Sequence, residues 1–266
     1  MLSLLFLLPS LALAAPKPIA FVQKFGEGRQ VRVEFSQPNA GKPTFLFLPG
    51  VNRGLLLGEP VAQKLIQDGN GVVTFNFSVQ PLSLATLKSE ERPAFYEREV
   101  TLETLAGEAE GVAEALSARY GIRNAIPVSL SYTSAVSRHL GFDRMIDSVP
   151  LTSTDAFSPE LAMYRNWLKA GELLNPVFGP SITRAALDAV YRPQWAEQVQ
   201  RISEQFRLPS ERHDDMIEGY IRLSRAVEGF EWKNAGDRAE RAFVLAGNES
   251  PTLLRHQLEV ARERLQ

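Results

Sequence analysis

The chain has 266 residues, of which 44% are hydrophobic and 23% are charged, and its formal net charge is −2. This is the composition of an ordinary globular protein. It excludes a disordered chain, and the length suits one large domain. Basic residues form no dense run, which argues against a nucleic-acid partner. The absence of cysteine excludes disulfides, thiolate metal sites and a cysteine nucleophile.

Residues 1–14 form an uncharged, mostly apolar segment that ends in small residues. Ala12 and Ala14 give an A-x-A site, and Ala15-Pro16-Lys17 follows it as a mature amino terminus would. The pattern predicts a signal peptide over residues 1–14 and a periplasmic or secreted protein. The segment is shorter than the ~20 residues that span a bilayer, and no later segment is apolar enough to span one. The alternative is a buried apolar strand or helix.

The following residues alternate between strand and helix patterns. Residues 19–37 are predicted as a hairpin, because alternating apolar residues flank Gly26-Glu27-Gly28. Continuous apolar runs at 44–48 and 72–77 are typical of strands buried on both faces. An amphipathic helix is predicted between them, over about 59–68.

An irregular stretch is predicted at 80–96, which contains two prolines. A helix over 97–120, a strand over 122–130, a short helix up to about Leu140 and a strand over 145–151 follow it.

Residues 155–235 have a different character, with apolar and aromatic side chains at helical spacing and no strand-like run. Several helices are predicted there, separated at Pro176, Pro180, Pro193 and Pro209. A fifth buried strand over 242–246 and a final helix over 253–265 come next. This order predicts one α/β domain over 15–266, with a mostly parallel central sheet, helices on both faces, an N-terminal hairpin and a helical insertion.

Turn sequences follow three of the predicted strands. They are Pro49-Gly50-Val51-Asn52-Arg53-Gly54, Ser129-Leu130-Ser131-Tyr132-Thr133 and Gly247-Asn248-Glu249-Ser250-Pro251. Their order resembles the α/β-hydrolase fold over roughly residues 44–155 and 241–252. The helical insertion at about 155–235 stands where that fold carries its lid.

The second turn resembles the family's G-x-S-x-G elbow, in which a nucleophilic serine lies on a strained strand-to-helix turn. The resemblance implies that Ser131 is the nucleophile, with Ser129 and Thr133 as small residues in the two glycine places. It implies that the backbone N–H groups of Tyr132 and Val51 form the oxyanion hole, with Asn52 as an alternative to Val51.

The third turn resembles Gly-x-x-Asp-Pro, whose aspartate orients the catalytic histidine. Ser250 occupies the aspartate place, so the preceding Glu249 is taken as the acid. Asp155 is the alternative, because some family members carry the acid after the preceding strand.

The family order of serine, acid and histidine leaves the base to be chosen among three histidines. His139 ends the helix after Ser131 and is interpreted as structural. His213 lies in a charged sequence of the insertion and is interpreted as solvent-exposed, with no metal site because its adjacent aspartates point to different helix faces. His256 is taken as the base, although the chain reaches Gln266 without the strand and loop that carry the family's histidine.

The resemblance therefore implies an esterase- or lipase-like serine hydrolase that acts on an ester, amide or thioester of a small-molecule or lipid-like substrate, without a metal or cofactor. Two alternatives stay open: a catalytically impaired hydrolase-fold protein that binds a ligand or partner, and a truncated gene product. The aromatic residues of the insertion are expected either to line a pocket or to pack in the core. The sequence gives no oligomeric state.

Overall fold

The computed structural model describes residues 18–26, 28–50, 54–96, 98–130, 132–148, 173, 175–227, 240–244, 255, 258–259 and 262. The described strands form one seven-stranded sheet in the order β1-β2-β4-β3-β5-β6-β7. The strands are β1 (Ile19–Lys24), β2 (Gln30–Ser36), β3 (Thr44–Phe47), β4 (Gly71–Asn76), β5 (Ile126–Leu130), β6 (Arg144–Ser148) and β7 (Glu240–Val244).

Strands β3 to β7 of the sheet run parallel to one another. At one side of the sheet β2 pairs antiparallel with both β4 and the edge strand β1. The predicted mostly parallel α/β sheet is thereby confirmed. Because parallel strands end at the same edge, the chain leaves β3, β4, β5, β6 and β7 on one side of the molecule.

Eight described α-helices accompany the sheet. They are α1 (Pro60–Gln67), α2 (Pro81–Leu84), α3 (Arg92–Tyr96), α4 (Leu102–Tyr120), α5 (Thr133–Ser137), α6 (Asn175–Phe178), α7 (Pro180–Phe206) and α8 (His213–Val227). Short 3-10 turns precede α3 and α8, at Ser89–Glu91 and Ser210–Arg212. We refer to α6, α7 and α8 with their connections as the helical segment (residues 175–227).

Two apolar clusters cover the two faces of the sheet. One joins Val72 and Val128 of the sheet to Ala62 of α1. The other, which is larger, joins Val73 and Phe75 to α4 and to the helical segment. The central strand β4 is buried along its whole length, as its continuous apolar sequence predicts.

The prediction of an irregular stretch at 80–96 is wrong. Residues 81–84, 89–91 and 92–96 are short helical turns. Pro81 occupies the first turn of α2, where a missing backbone N–H has no cost, so this proline begins a helix instead of excluding one.

The predicted helix break at Pro193 is also wrong, because Pro193 lies inside α7, a continuous helix of 27 residues. The turns after Pro193 pack firmly on α8: Trp195 stacks on Tyr220 at 4.9 Å, and Val199 is completely buried. Tertiary packing of this kind offsets the cost of about 3 kcal/mol for a proline inside a helix.

Two boundaries differ from the predictions by several residues. The helix predicted from 97 begins at Leu102, where the Thr101 hydroxyl caps it by accepting a hydrogen bond from the Thr104 N–H at 3.2 Å. The strand predicted from 122 begins at Ile126, because Asn124 has a positive φ of 58°, which no strand residue adopts.

The helical segment is fastened to residues 84–98 through arginines. Arg212 donates to the carbonyls of Leu87 at 2.9 Å and of Leu84 at 3.0 Å. Arg222 donates to the carbonyls of Phe95, at 2.9 Å, and of Arg98. These contacts hold α8 over the chain that leaves β4.

Candidate active site

The elbow after β5 takes only two residues, 131 and 132, to pass from strand to helix. Leu130 ends β5, and Tyr132 is the residue from which α5 starts at Thr133. Ser131, the predicted nucleophile between them, lies outside the described residues. Its two neighbours nevertheless confirm the strand-turn-helix context that the motif requires.

Thr133 closes this elbow with its own hydroxyl. Its Oγ1 accepts a hydrogen bond from the Leu130 N–H at 2.8 Å and lies 3.1 Å from the Leu130 carbonyl oxygen, to which it donates. Thr133 is completely buried. A side chain that stands where the family has glycine therefore locks the turn across the position of Ser131.

Ser129, in the other glycine place, is tied to the neighbouring strand. Its hydroxyl donates to Asp147 Oδ1 of β6 at 2.6 Å. Ser137, the last residue of α5, places its hydroxyl 3.0 Å from the same carboxylate oxygen. Asp147 thus holds both arms of the elbow, the strand before Ser131 and the helix after it.

Arg241 of β7 supplies the counter-charge for Asp147. Its Nη1 lies 2.6 Å from Asp147 Oδ2, and its Nη2 donates to the Ser137 carbonyl at 3.1 Å. The Asp147 side chain is completely buried and that of Arg241 is 3% exposed. We call Ser129, Ser137, Asp147 and Arg241 the elbow clamp.

Tyr132 is the one predicted site residue that the structure describes. Its side chain is buried in the large core cluster, where burial first, and then the neighbouring Tyr220 and Glu108, raise the pKa of the phenol well above its ordinary 10. The phenol therefore stays protonated at neutral pH and is not a base. Its backbone N–H remains the group with a predicted role.

The turn after β3, predicted to carry the other oxyanion donor, is fixed by Gln80. This side chain is completely buried; its Nε2 donates to the Gly50 carbonyl at 2.6 Å, and its Oε1 accepts from the Phe77 N–H at 2.9 Å. Val51 and Asn52, the predicted donors, lie outside the described residues. Gln80 therefore joins the start of that turn to the end of β4.

Gly54 brings the chain back from the same turn against β4. A Cβ added at Gly54 would lie 2.2 Å from the Phe75 carbonyl oxygen, a distance that no side chain tolerates. The loop can return along β4 only with glycine here.

A buried carboxyl lies beneath this region on α4. Glu108 is completely buried, and it accepts hydrogen bonds from the Ser78 N–H at 2.9 Å and the Ser78 hydroxyl at 2.6 Å. Burial raises the pKa of Glu108, against the effect of the Ser78 hydrogen bonds and of Arg29 at 3.8 Å. Glu108 also contributes to the raised pKa of the Tyr132 phenol, so a buried titratable carboxyl interacts electrostatically with a residue of the elbow.

The structure describes two of the three histidines, His139 and His213. His139 follows the end of α5, the end of that helix away from Ser131, and its Nδ1 lies 3.4 Å from Glu103 Oε1. His213 begins α8, two helical turns or about 10 Å along the helix from Tyr220, which interacts electrostatically with Tyr132.

The interpretation of His213 as a solvent-exposed residue is wrong. The side chain is half-buried, and its Nε2 is shielded from solvent without a hydrogen-bond partner among the residues that the structure describes. The reason is its neighbour Arg212, whose hydrogen bonds to Leu84 and Leu87 press the start of α8 against α2. The predicted base His256, the predicted acid Glu249 and the alternative acid Asp155 lie outside the described residues.

Sequence reasoning missed Asp147, Gln80 and Glu108. Two signals were present: Glu108 interrupts the apolar face of α4 between Leu105 and Val112, and Asp147 interrupts a strand that is otherwise apolar on that side. A charge on a buried face needs a partner, so both positions pointed to internal polar contacts. Gln80 gave no such signal.

A cavity of about 750 Å³ opens at the opposite edge of the sheet, around the amino ends of β3, β5 and β6. It is remote from the elbow and is not part of this site.

The described residues contain no cluster of three metal-binding side chains. None of the described helices has the length and apolar character needed to cross a membrane.

Comparisons with known proteins find similarity in structure alone. No protein-family model matches the chain, and no curated protein matches its sequence. An alpha/beta hydrolase enzyme, MGS-M2, from a Medee basin deep-sea metagenome library is 14% identical, with a TM-score of 0.52 over 90% of this chain and 85% of its own. A hydrolase from Pseudomonas aeruginosa PA01 is 17% identical, with a TM-score of 0.51 over 91% and 86%.

An enol-lactonase from Burkholderia xenovorans LB400 is also similar, at 15% identity and a TM-score of 0.51 over 87% of this chain and 85% of its own. Identities this low carry information about the fold and not about the reaction.

Proposed function

Because the chain has the α/β-hydrolase fold, we propose that it is a serine hydrolase whose nucleophile is Ser131. The observation that carries the proposal is the elbow itself. The chain passes from β5 to α5 across Ser131, with Thr133 bonded back to Leu130 and Ser129 bonded to Asp147. This is the local architecture that a nucleophile elbow needs.

In the proposed reaction the Ser131 hydroxyl oxygen attacks the substrate carbonyl while His256 accepts its proton. The backbone N–H groups of Val51 and Tyr132 stabilise the oxyanion that forms, and His256 then protonates the leaving group. Water hydrolyses the acyl-enzyme by the same steps, which regenerates the Ser131 hydroxyl. Glu249 orients His256 through a hydrogen bond.

Two described contacts support the proposed oxyanion hole. Backbone donors stabilise a developing charge only when they are held in place before the reaction. Thr133 fixes the turn that carries the Tyr132 N–H, and Gln80 fixes the start of the turn that carries Val51.

The proposed substrate class is an ester, amide or thioester of a small or lipid-like acid. Among the proteins of similar structure are the enol-lactonase and a thioesterase domain from the curacin biosynthetic pathway, which has a TM-score of 0.50 at 14% identity and covers 92% of this chain and 90% of its own. Their names have acyl transfer to water in common, which favours this class.

The helical segment is proposed as part of the lid over the elbow. The segment is fastened to residues 84–98, and its Tyr220 belongs to the same core cluster as Tyr132. Met216 and Tyr220 are buried, which favours core packing for these two side chains.

Export through a signal peptide at residues 1–14 also stays a proposal, since those residues lie outside the described part of the chain.

The test is to treat the folded protein with a fluorophosphonate and to locate the adduct by mass spectrometry. We expect the adduct on Ser131, its loss in Ser131→Ala, and its retention in Ser210→Ala, which removes an exposed serine of the helical segment. His256→Ala is expected to slow labelling at least a hundredfold, whereas His213→Ala and His139→Ala leave the rate within about threefold of wild type.

An absence of labelling in folded wild-type protein would overturn the proposal. It would leave the alternative function, a catalytically impaired hydrolase-fold protein that binds a ligand or partner. Labelling that depends on His213 instead of His256 would keep the nucleophile and reassign the base.

A further inference from the structure

The surface formed by Leu173, α6 and the first three turns of α7 is apolar although it is exposed. Five large side chains there are between 55% and 79% exposed: Leu173, Val177, Phe178, Ile182 and Val190. Three exposed alanines of α7 lie among them in the sequence, Ala185, Ala186 and Ala189. We call these eight residues the apolar face. Since Gly179 alone separates α6 from α7, the apolar face belongs to one short stretch of chain.

The charged residues of this stretch do not belong to the apolar face. Residues 173–183 contain no charged side chain. The next two charges along α7 are directed toward α8: Arg184 lines a cavity together with Arg222 and Arg225, and Asp188 is buried and pairs with Arg225. The outward side of the first three turns of α7 therefore carries no charge.

The last turns of the same helix have an ordinary solvent-facing surface. Beyond Pro193 the exposed residues of α7 are all polar or charged, namely Gln194, Glu197, Gln200, Arg201, Glu204 and Gln205. A surface helix has polar residues opposite its buried stripe along its whole length. The outward side of α7 thus changes from apolar to polar near Pro193, and an exposed apolar patch of this kind is typical of a surface that another molecule covers.

The exposed apolar area is large enough for a protein interface. At about 150–200 Å² for a fully exposed side chain, the five large residues leave roughly 500–600 Å² uncovered, which is the upper end for a patch on a monomer. A specific interface takes roughly 600–1,000 Å² from each partner. The three alanines and a polar rim bring the apolar face into that range.

We propose that the apolar face binds a second copy of this chain, which makes the protein a two-fold symmetric homodimer through α7. In a two-fold interface the same surface meets itself, and an uncharged face does so without like-charge repulsion. The alanines suit this contact, because the side chains at the contact set the distance between packed helices, about 8–10 Å. The dimer would join the helical segments of two molecules, and the inference does not depend on catalysis by Ser131.

Analytical ultracentrifugation over a range of protein concentrations tests the proposal. We expect wild type to dimerise, and we expect Ile182→Glu and Val190→Glu to raise the dimer dissociation constant at least tenfold, because each places like charges in the interface. The matched control is Val61→Glu on α1, since Val61 is 52% exposed and Val190 is 55% exposed. This control should dimerise as wild type does, and thermal unfolding verifies that each variant is folded.

The absence of cysteine from the chain allows a second measurement. The single-cysteine variants Ile182→Cys, Ala186→Cys and Val190→Cys sample the apolar face at successive helical turns. A short bismaleimide should cross-link at least one of them into a covalent dimer at least tenfold faster than it cross-links Val61→Cys.

The proposal is overturned if wild type stays monomeric at every concentration, if Ile182→Glu and Val190→Glu dimerise as tightly as Val61→Glu, or if no cysteine of the apolar face cross-links faster than Val61→Cys. A monomer that Ile182→Glu destabilises more than Val61→Glu does would assign the apolar face to another part of the same chain. A monomer that sediments with phosphatidylcholine vesicles, and loses this binding in Ile182→Glu, would assign it to a membrane surface. Either assignment also contradicts the homodimer.

Discussion

Asp147 illustrates at the residue scale how this protein stabilises its elbow. A buried carboxylate is tolerated only when it is paired and fully hydrogen-bonded, and Asp147 has two hydroxyls and one guanidinium around it. The elbow clamp therefore couples the free energy of unfolding to the geometry around Ser131. Neither of the two serines in it has a reactive role in the proposal.

We expect Asp147→Asn to lower the free energy of unfolding by about 3–5 kcal/mol, since it removes the buried carboxylate charge that pairs with Arg241. Adding Arg241→Met should recover part of the loss, as a double-mutant cycle in urea denaturation would measure. The control is Asp68→Asn, which breaks the exposed Lys64–Asp68 pair of 2.7 Å and should cost less than about 1 kcal/mol. Equal losses for the two single variants would contradict the role of the elbow clamp.

Glu108 gives a pH-dependent prediction at the same scale. Burial raises its pKa above the ordinary 4.5, so the folded protein favours the protonated carboxyl. Its contribution to stability is therefore fully present below pH 4.5 and is lost as the pH rises from there through the raised pKa. Glu108→Gln has no such titration.

The measurement is urea denaturation of wild type and Glu108→Gln at a series of values from about pH 4 to about pH 8. The stability of wild type relative to the variant should be greatest at the acid end and should decline as the pH rises. A difference that is constant, or that grows with pH, would show that Glu108 does not titrate as its burial requires.

At the scale of elements, the close approach of α8 to the chain after β4 depends on Gly219. A Cβ there would lie 2.1 Å from the Val79 carbonyl oxygen and 2.9 Å from Leu84 Cδ1. We expect Gly219→Ala to lower the free energy of unfolding by about 1–3 kcal/mol, because overpacking displaces the helix from backbone that cannot yield.

The matched control is Gly107→Ala on the exposed face of α4, where an added Cβ has no neighbour within 4 Å. Alanine should there raise the free energy of unfolding by about 0.5–1 kcal/mol through its helix propensity alone. Thermal unfolding of the two variants compares the same substitution in two settings, and shifts of the same sign would refute the packing argument.

The elements differ in how far the sequence predicts them. Strands β3 and β4 were predicted within about one residue, because continuous apolar runs end at proline and glycine. Pro193 misled because the packing of Trp195 on Tyr220, which overrides the local cost of the proline, lies between residues 25 positions apart. Pro81 and Pro93 lie in the first turns of α2 and α3, although prolines in this stretch predict an irregular chain.

The candidate site likewise has a part that the sequence predicts and a part that it does not. The position of Ser131 follows from a motif of five neighbouring residues, which sequence can show directly. Its supports come from distant elements: Asp147 is 18 residues from Ser129, and Gln80 is 30 residues from Gly50. Periodicity identifies the element on which each of these lies, but it does not identify the partner.

At the scale of the whole molecule, all the proposed chemistry lies at the carboxyl ends of the parallel strands. The parallel strands β3 to β7 deliver the turns at residues 49–54, 130–133 and beyond Val244 to that edge. The hairpin supplies the edge strand β1 and its neighbour β2, and two strands, β4 and β3, separate β2 from β5.

Export is a prediction for the whole molecule too. We expect the full chain, expressed in a bacterial host with a carboxyl-terminal tag, to be recovered from the periplasm or medium with Ala15 as its first residue. Ala14→Arg should block this cleavage, because signal processing requires a small residue there. Mass spectrometry of the intact protein decides, and a product that keeps Met1 in the cytoplasm would contradict the prediction.

The hydroxyls of the elbow also bear on how this sequence can evolve. Glycine at either place would bring the sequence closer to the G-x-S-x-G motif of a nucleophile elbow. It would also strip Leu130 of its acceptor or Asp147 of a donor. Either change toward the G-x-S-x-G motif would therefore remove a hydrogen bond of the elbow and lower the stability of the fold, so serine and threonine at these two places serve folding before they serve any reaction.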